Sequence, residues 1–169
     1  MGELANHPCV APKPPLAVTI TNWYQLNMLN TTVTELTVAN NSMNDASPTV
    51  LDLSRFRRLK KIVIGDECLV SVERVVLIGL RVLESVEVGK NSFTKYQGSF
   101  DIVYNPNPNR HFYLKSCPKL KRLRIYSNSF MDYSVCEIEN VDALETIDVG
   151  WNSFFWASLE LKSILIHSE

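Results

Sequence analysis

Apolar and polar positions recur along the chain in a five-slot pattern. Around Phe93 it places Leu83, Val86, Val88, Asn91 and Phe93 at steps of three, two, three and two residues. The same steps give Val33, Leu36, Val38, Asn41 and Met43, and again Leu59, Ile62, Ile64, Glu67 and Leu69. They recur as Leu120, Leu123, Ile125, Asn128 and Phe130, and as Leu144, Ile147, Val149, Asn152 and Phe154. The leading positions lie 26, 24, 37 and 24 residues apart, so the third interval holds an insertion. A second apolar pattern keeps phase with the first: Leu51 and Leu53, Val75 and Leu77, Phe112 and Leu114, Cys136 and Ile138. Phe56, Leu80, Cys117 and Val141 follow, each three residues ahead of a leading slot. Both stretches alternate with period two and are rich in β-branched residues, which predicts strands. Neither is long enough to hold a helix with a 3.6-residue period.

One repeat cannot bury its own apolar face, so stability must come from stacked neighbours. The first stretch of each repeat is expected to form a short parallel strand with its apolar slots pointing inward. The Asn slot then turns the chain, and its amide can serve backbone groups of adjacent repeats. Stacking is expected to align Asn41, Asn91, Asn128 and Asn152 as a ladder, interrupted by Glu67. The Phe slot fills the space between the two sides.

These motifs resemble the leucine-rich repeat superfamily over about residues 31–166. Val88-Gly89 with Ser92-Phe93, Ser129-Phe130, Val149-Gly150 with Ser153-Phe154, and Ile64-Gly65 are similar to its BspA-like subclass. Tyr126 stands where that pattern has Gly. The resemblance implies a mostly β solenoid with about five parallel concave strands and short extended convex segments. It also implies a non-enzymatic module for protein–protein interaction, a fragment or member of a larger repeat family, with a surface adhesin or glycan-binding segment as the alternative.

The ends depart from the pattern. Residues 1–30 are read as an N-terminal tail with a degenerate cap or coil, in which Val18 and Ile20 predict a strand. Residues 31–169 form the solenoid. Leu159, Leu161, Ile164 and Ile166 start a further convex stretch, and no polar capping segment follows it. The expectation is an exposed last coil, a longer solenoid or end-to-end self-association. Trp151 and Trp156 are expected to cover the end of the core.

Composition narrows the function. Glycine is scarce, with 6 residues against 14 asparagines, which speaks against a phosphate-loop enzyme. Three of the glycines, Gly65, Gly89 and Gly150, share one place after the first strand of a repeat. Net charge is −1, so no overall field favours nucleic acid. No run of about 18 apolar residues predicts a membrane span. Pro12, Lys13, Pro14 and Pro15 stand where a signal peptide needs an apolar core, so a cytoplasmic location is the default expectation. The cysteines, Cys9, Cys68, Cys117 and Cys136, lack zinc-type spacing. Cys117 and Cys136 fall on core slots, while Cys68 is expected to be partly exposed at a turn. His7, His111 and His167 are scattered, and no metal, cofactor or catalytic motif is predicted.

Two regions remain as candidate binding surfaces. The outward residues of the concave strands alternate in sign: Lys60 and Lys61, Glu84 and Glu87, Lys121 with Arg122 and Arg124, Glu145 and Asp148. With strands about 4.8 Å apart, Lys60, Glu84, Lys121 and Glu145 should form a ladder of opposite charges. The pattern fits either self-neutralisation or a charge-patterned docking face, and it disfavours a polyanion groove. The second region is the insertion at about 94–111, with Tyr96, Phe100, Tyr104, Arg110 and His111. Loops on a rigid scaffold often carry recognition, and exposed aromatic residues make good anchors.

Overall fold

The computed structural model describes Lys13 and residues 16–95, 106–155 and 157–162. Among these residues 39% are in strands and 4% in helix, so the protein is mostly β. The period-two stretches form two parallel sheets. Strands β1 (Ala17–Ile20), β2 (Glu35–Val38), β4 (Lys61–Ile64), β6 (Ser85–Val88), β8 (Arg122–Ile125) and β10 (Thr146–Val149) lie side by side in that order. The second sheet runs β3 (Val50–Asp52), β5 (Arg74–Ile78), β7 (Asn107–Lys115), β9 (Tyr133–Glu139) and β11 (Ser158–Lys162). From β2 onward the chain alternates between the sheets. The helix α1 (Trp23–Met28) follows β1. It is neither long nor apolar enough to cross a membrane.

Register explains the core. Leu36, Ile62, Val86, Leu123 and Ile147 are lateral neighbours, as are Val38, Ile64, Val88, Ile125 and Val149. Ile20 of β1 joins the second row, which makes six strands where about five were expected. Leu51, Val75, Phe112 and Cys136 form a facing row in the other sheet. Leu53, Phe56, Leu80, Leu114, Cys117 and Val141 are almost wholly buried with them. Burying each Leu or Ile stabilises by about 1.5–3 kcal/mol relative to exposure.

The turn after each first-sheet strand shows why its slots hold the residues they do. Asn41, Glu67, Asn91, Asn128 and Asn152 all have φ between 54° and 61°, the left-handed region that Asn tolerates best. Met43, Leu69, Phe93, Phe130 and Phe154 are left-handed as well. Asn128 Nδ2 donates to Asn91 Oδ1 at 3.2 Å, and Asn152 Nδ2 donates to Asn128 Oδ1 at 3.3 Å. No such link joins Asn41, because Glu67 lacks an amide to donate; the ladder therefore has three members, not four. Phe93, Phe130 and Phe154 stack with centroid steps of 4.6 Å and nearly parallel rings.

Glycine follows the first-sheet strand for a specific reason. Asn40 Oδ1 and Asp66 Oδ1 fold back to accept from the Asp66 and Lys90 N–H groups at 2.9 and 2.7 Å. A Cβ on Gly89 would lie 2.5 Å from both Asp66 Oδ1 and the Gly65 carbonyl carbon, and one on Gly150 would lie 2.5 Å from Ser127 N, so the backbone of the preceding repeat leaves no room for a side chain. The matching place one repeat later holds Tyr126.

Three expectations are corrected. The insertion ends sooner than the spacing predicted: β7 begins at Asn107, so Arg110 and His111 are strand residues. Arg110 is 0% exposed, because it shares the inward face of β7 with Phe112 and Leu114. Cys68 is also buried, because its thiol occupies a slot that serine holds in the neighbouring repeats.

Candidate functional site

The outer face of the six-stranded sheet carries the sequence-predicted charges in rows. One row runs Glu35, Lys61, Ser85, Arg122 and Thr146, and another runs Thr37, Val63, Glu87, Arg124 and Asp148. Lys60, Glu84, Lys121 and Glu145 form a third row just ahead of the strands. The backbone N–H of Glu84 donates to Lys60 O, that of Lys121 to Glu84 O, and that of Glu145 to Lys121 O. The expected alignment is therefore present. Its expected ion pairing is not, since among the described residues no salt bridge joins Lys60, Glu84, Lys121 and Glu145. Long side chains on a flat, wet sheet gain too little from pairing to fix their rotamers. The exception is Arg124, whose Nε lies 3.1 Å from Asp148 Oδ2, with both side chains well exposed.

The outer face of the five-stranded sheet behaves differently. There Lys115 bonds Glu137 and lies 3.5 Å from Glu139. Lys162 lies 3.6 Å from Glu139 and 2.7 Å from Glu160. The hydrogen bond that Lys115 donates to the Glu137 carboxylate holds its ammonium above the usual lysine range. Across β7, β9 and β11 the charges of this face are thus paired, while the six-stranded sheet leaves Lys60, Lys61, Lys121 and Arg122 without an ion pair among the described residues.

Of the insertion residues, Tyr96, Phe100 and Tyr104 lie outside the described residues. Arg110 serves the interior: its Nη1 donates to Phe93 O at 3.0 Å and to Asp132 Oδ1 at 3.1 Å, and Nη2 donates to Val70 O at 2.7 Å. Burial pushes the Asp132 carboxyl up, against the pull of Arg110. Tyr133 is buried beside them and donates its hydroxyl to Val72 O at 2.7 Å. This cluster ties both ends of the insertion to the core. His111 is half-buried, with one ring nitrogen 2.7 Å from the Tyr113 hydroxyl and the other 2.7 Å from Pro108 O.

The Ser ahead of Phe in three repeats builds a serine ladder that spacing alone does not reveal. Ser92, Ser129 and Ser153 donate Oγ–H to the carbonyls of Gly65, Gly89 and Tyr126 at 2.7–2.8 Å. Each Oγ also accepts a backbone N–H, from Cys68, Ser92 and Ser129 respectively. Cys68 Sγ stands in the same slot, 3.0 Å from Ala39 O. Burial raises the Cys68 and Cys117 thiols above their usual range and pushes Cys136 up to about 12, so all three stay protonated. Among the described residues no three His, Cys, Asp or Glu side chains converge as a metal site. No family model, curated protein or solved structure matches the chain.

Proposed function

We propose that the chain is a non-enzymatic leucine-rich repeat solenoid that binds protein through the outer face of the six-stranded sheet. The observation that carries this reading is the contrast between the two faces. Lys60, Lys61, Lys121 and Arg122 are exposed and without ion pairs, beside strands bearing Glu84, Glu87, Glu145 and Asp148. Stripes of alternating sign, one strand apart, give register and selectivity to a docked partner more than raw affinity. Backbone hydrogen bonds fix the spacing of the rows, while the side chains themselves are ordered only on binding.

The test compares two charge-altered proteins in cross-linked capture from cells that express the chain. In one, Lys121, Arg122 and Lys61 become Ala. In the other, Lys115 and Glu137 on the opposite sheet become Ala. The first is expected to lose a specific partner that wild type and the second variant retain. Equal capture by all three proteins would overturn the assignment of this face.

A further inference from the structure

The end formed by β10 and β11 is unlike the rest of the core. Ile147 and Val149 are 42% and 45% exposed, although Leu123 and Ile125, one strand away, are each 1% exposed. Leu159 and Leu161 of β11 are 59% and 47% exposed. Between these strands opens an apolar cavity of about 230 Å³, with Leu123, Ile125, Cys136 and Ile138 in its wall. Among the described residues no strand pairs with the outer edge of β10 or β11.

We propose that this end docks a second copy of the chain, with β11 pairing antiparallel to the same strand of its mate about Leu161. A free strand edge next to exposed core residues is a ready template for strand addition. A two-fold axis makes the contact closed and self-complementary.

The charge order on β11 favours a second copy as the occupant. Glu160 and Lys162 alternate with Leu159 and Leu161 and so share the outer face. In an antiparallel pair centred on Leu161, residues 160–162 of the two copies lie opposite one another, and each Glu160, which within one chain lies 2.7 Å from its own Lys162, also faces Lys162 of the mate. The symmetry doubles this contact, so both cross-strand pairs are of opposite sign. Leu161 meets its own equivalent on the core side, and the two cavities close over Ile147 and Val149. This surface lies at the end of the stack and is distinct from the charged outer face of the six-stranded sheet.

The experiment measures self-association by sedimentation over a dilution series. Wild type is expected to form a dimer that dissociates on dilution. Glu160→Lys and Lys162→Glu each place like charges in both cross-strand contacts, so each is expected to raise the dimer dissociation constant about tenfold or more. An equimolar mixture of the two variants should dimerise like wild type, because in the mixed pair each reversed charge meets an opposite one. Both side chains are more than half exposed, so the variants should fold, and circular dichroism checks this. Three results would overturn the proposal: a wild type that is monomeric at every concentration, a dimer that neither substitution weakens, or variants that remain apart when mixed. The first would be the outcome if other polypeptide covers this edge.

Discussion

Ile20 and Val149 hold the same place in the outermost strands of one sheet, yet Ile20 is 1% exposed and Val149 is 45% exposed. The difference lies in what stands beyond each strand. After β1 the chain forms α1, which buries Trp23 and Leu26 against the core. Asn22 caps the helix by accepting from Gln25 N–H at 2.9 Å. Arg55, just past β3, donates to Leu26 O at 2.7 Å and fastens the last turn. Among the described residues nothing does the same for β10 and β11. Burial here is a property of the neighbour, because every repeat offers the same slots.

The largest test of that comparison is a pair of truncations in the aromatic stack. Phe130 has ring neighbours on both sides and is 0% exposed, so Phe130→Ala should cost about 3–5 kcal/mol. Among the described residues Phe154 is the last ring of the stack, and it is only half-buried, so Phe154→Ala should cost clearly less. Chemical denaturation of both variants checks this, and equal losses would break the contrast. Next comes the closed end. Leu26→Ala should cost about 2–4 kcal/mol, since it uncovers the β1 side of the core. Its loss should exceed that of Leu159→Ala in monomeric protein. Ser129→Ala is a smaller change. It leaves the Gly89 carbonyl and the Ser92 N–H unpaired in a buried place, for about 1–3 kcal/mol. The smallest effect has the opposite sign. Glu67→Asn restores a left-handed-tolerant amide between Asn41 and Asn91, and should raise stability by about 0.5 kcal/mol.

The strands were legible because alternation and phase are local properties. Leu36 and Val38, Ile62 and Ile64, Val86 and Val88 announce a buried face wherever they occur. Asn91, Asn128 and Asn152 could be read as a ladder for the same reason. Arg110 could not be placed, because its burial depends on Asp132, 22 residues onward, and on two carbonyls in other repeats. At Cys68 the preceding Glu67 and the turn predict partial exposure, yet in space its thiol lies against Ala39 O and its N–H donates to Ser92 Oγ. The serine ladder was visible as spelling only, and its chemistry needs the stacked backbone. The charge rows followed from register, whereas the lack of pairing within them follows from solvent and side-chain entropy. At the β10–β11 end the slots are those of every repeat, and the absence of a covering strand among the described residues leaves Ile147 and Leu161 exposed.

Native-state hydrogen exchange, measured strand by strand on monomeric protein, tests the central claim most directly. If neighbours supply the burial, amides of β6 and β8 should exchange slowest and those of β10 and β11 much faster. β1 and β2, protected by α1, should stay close to β4. Protection of β10 and β11 equal to that of β6 and β8, or opening that begins at β1, would contradict the account.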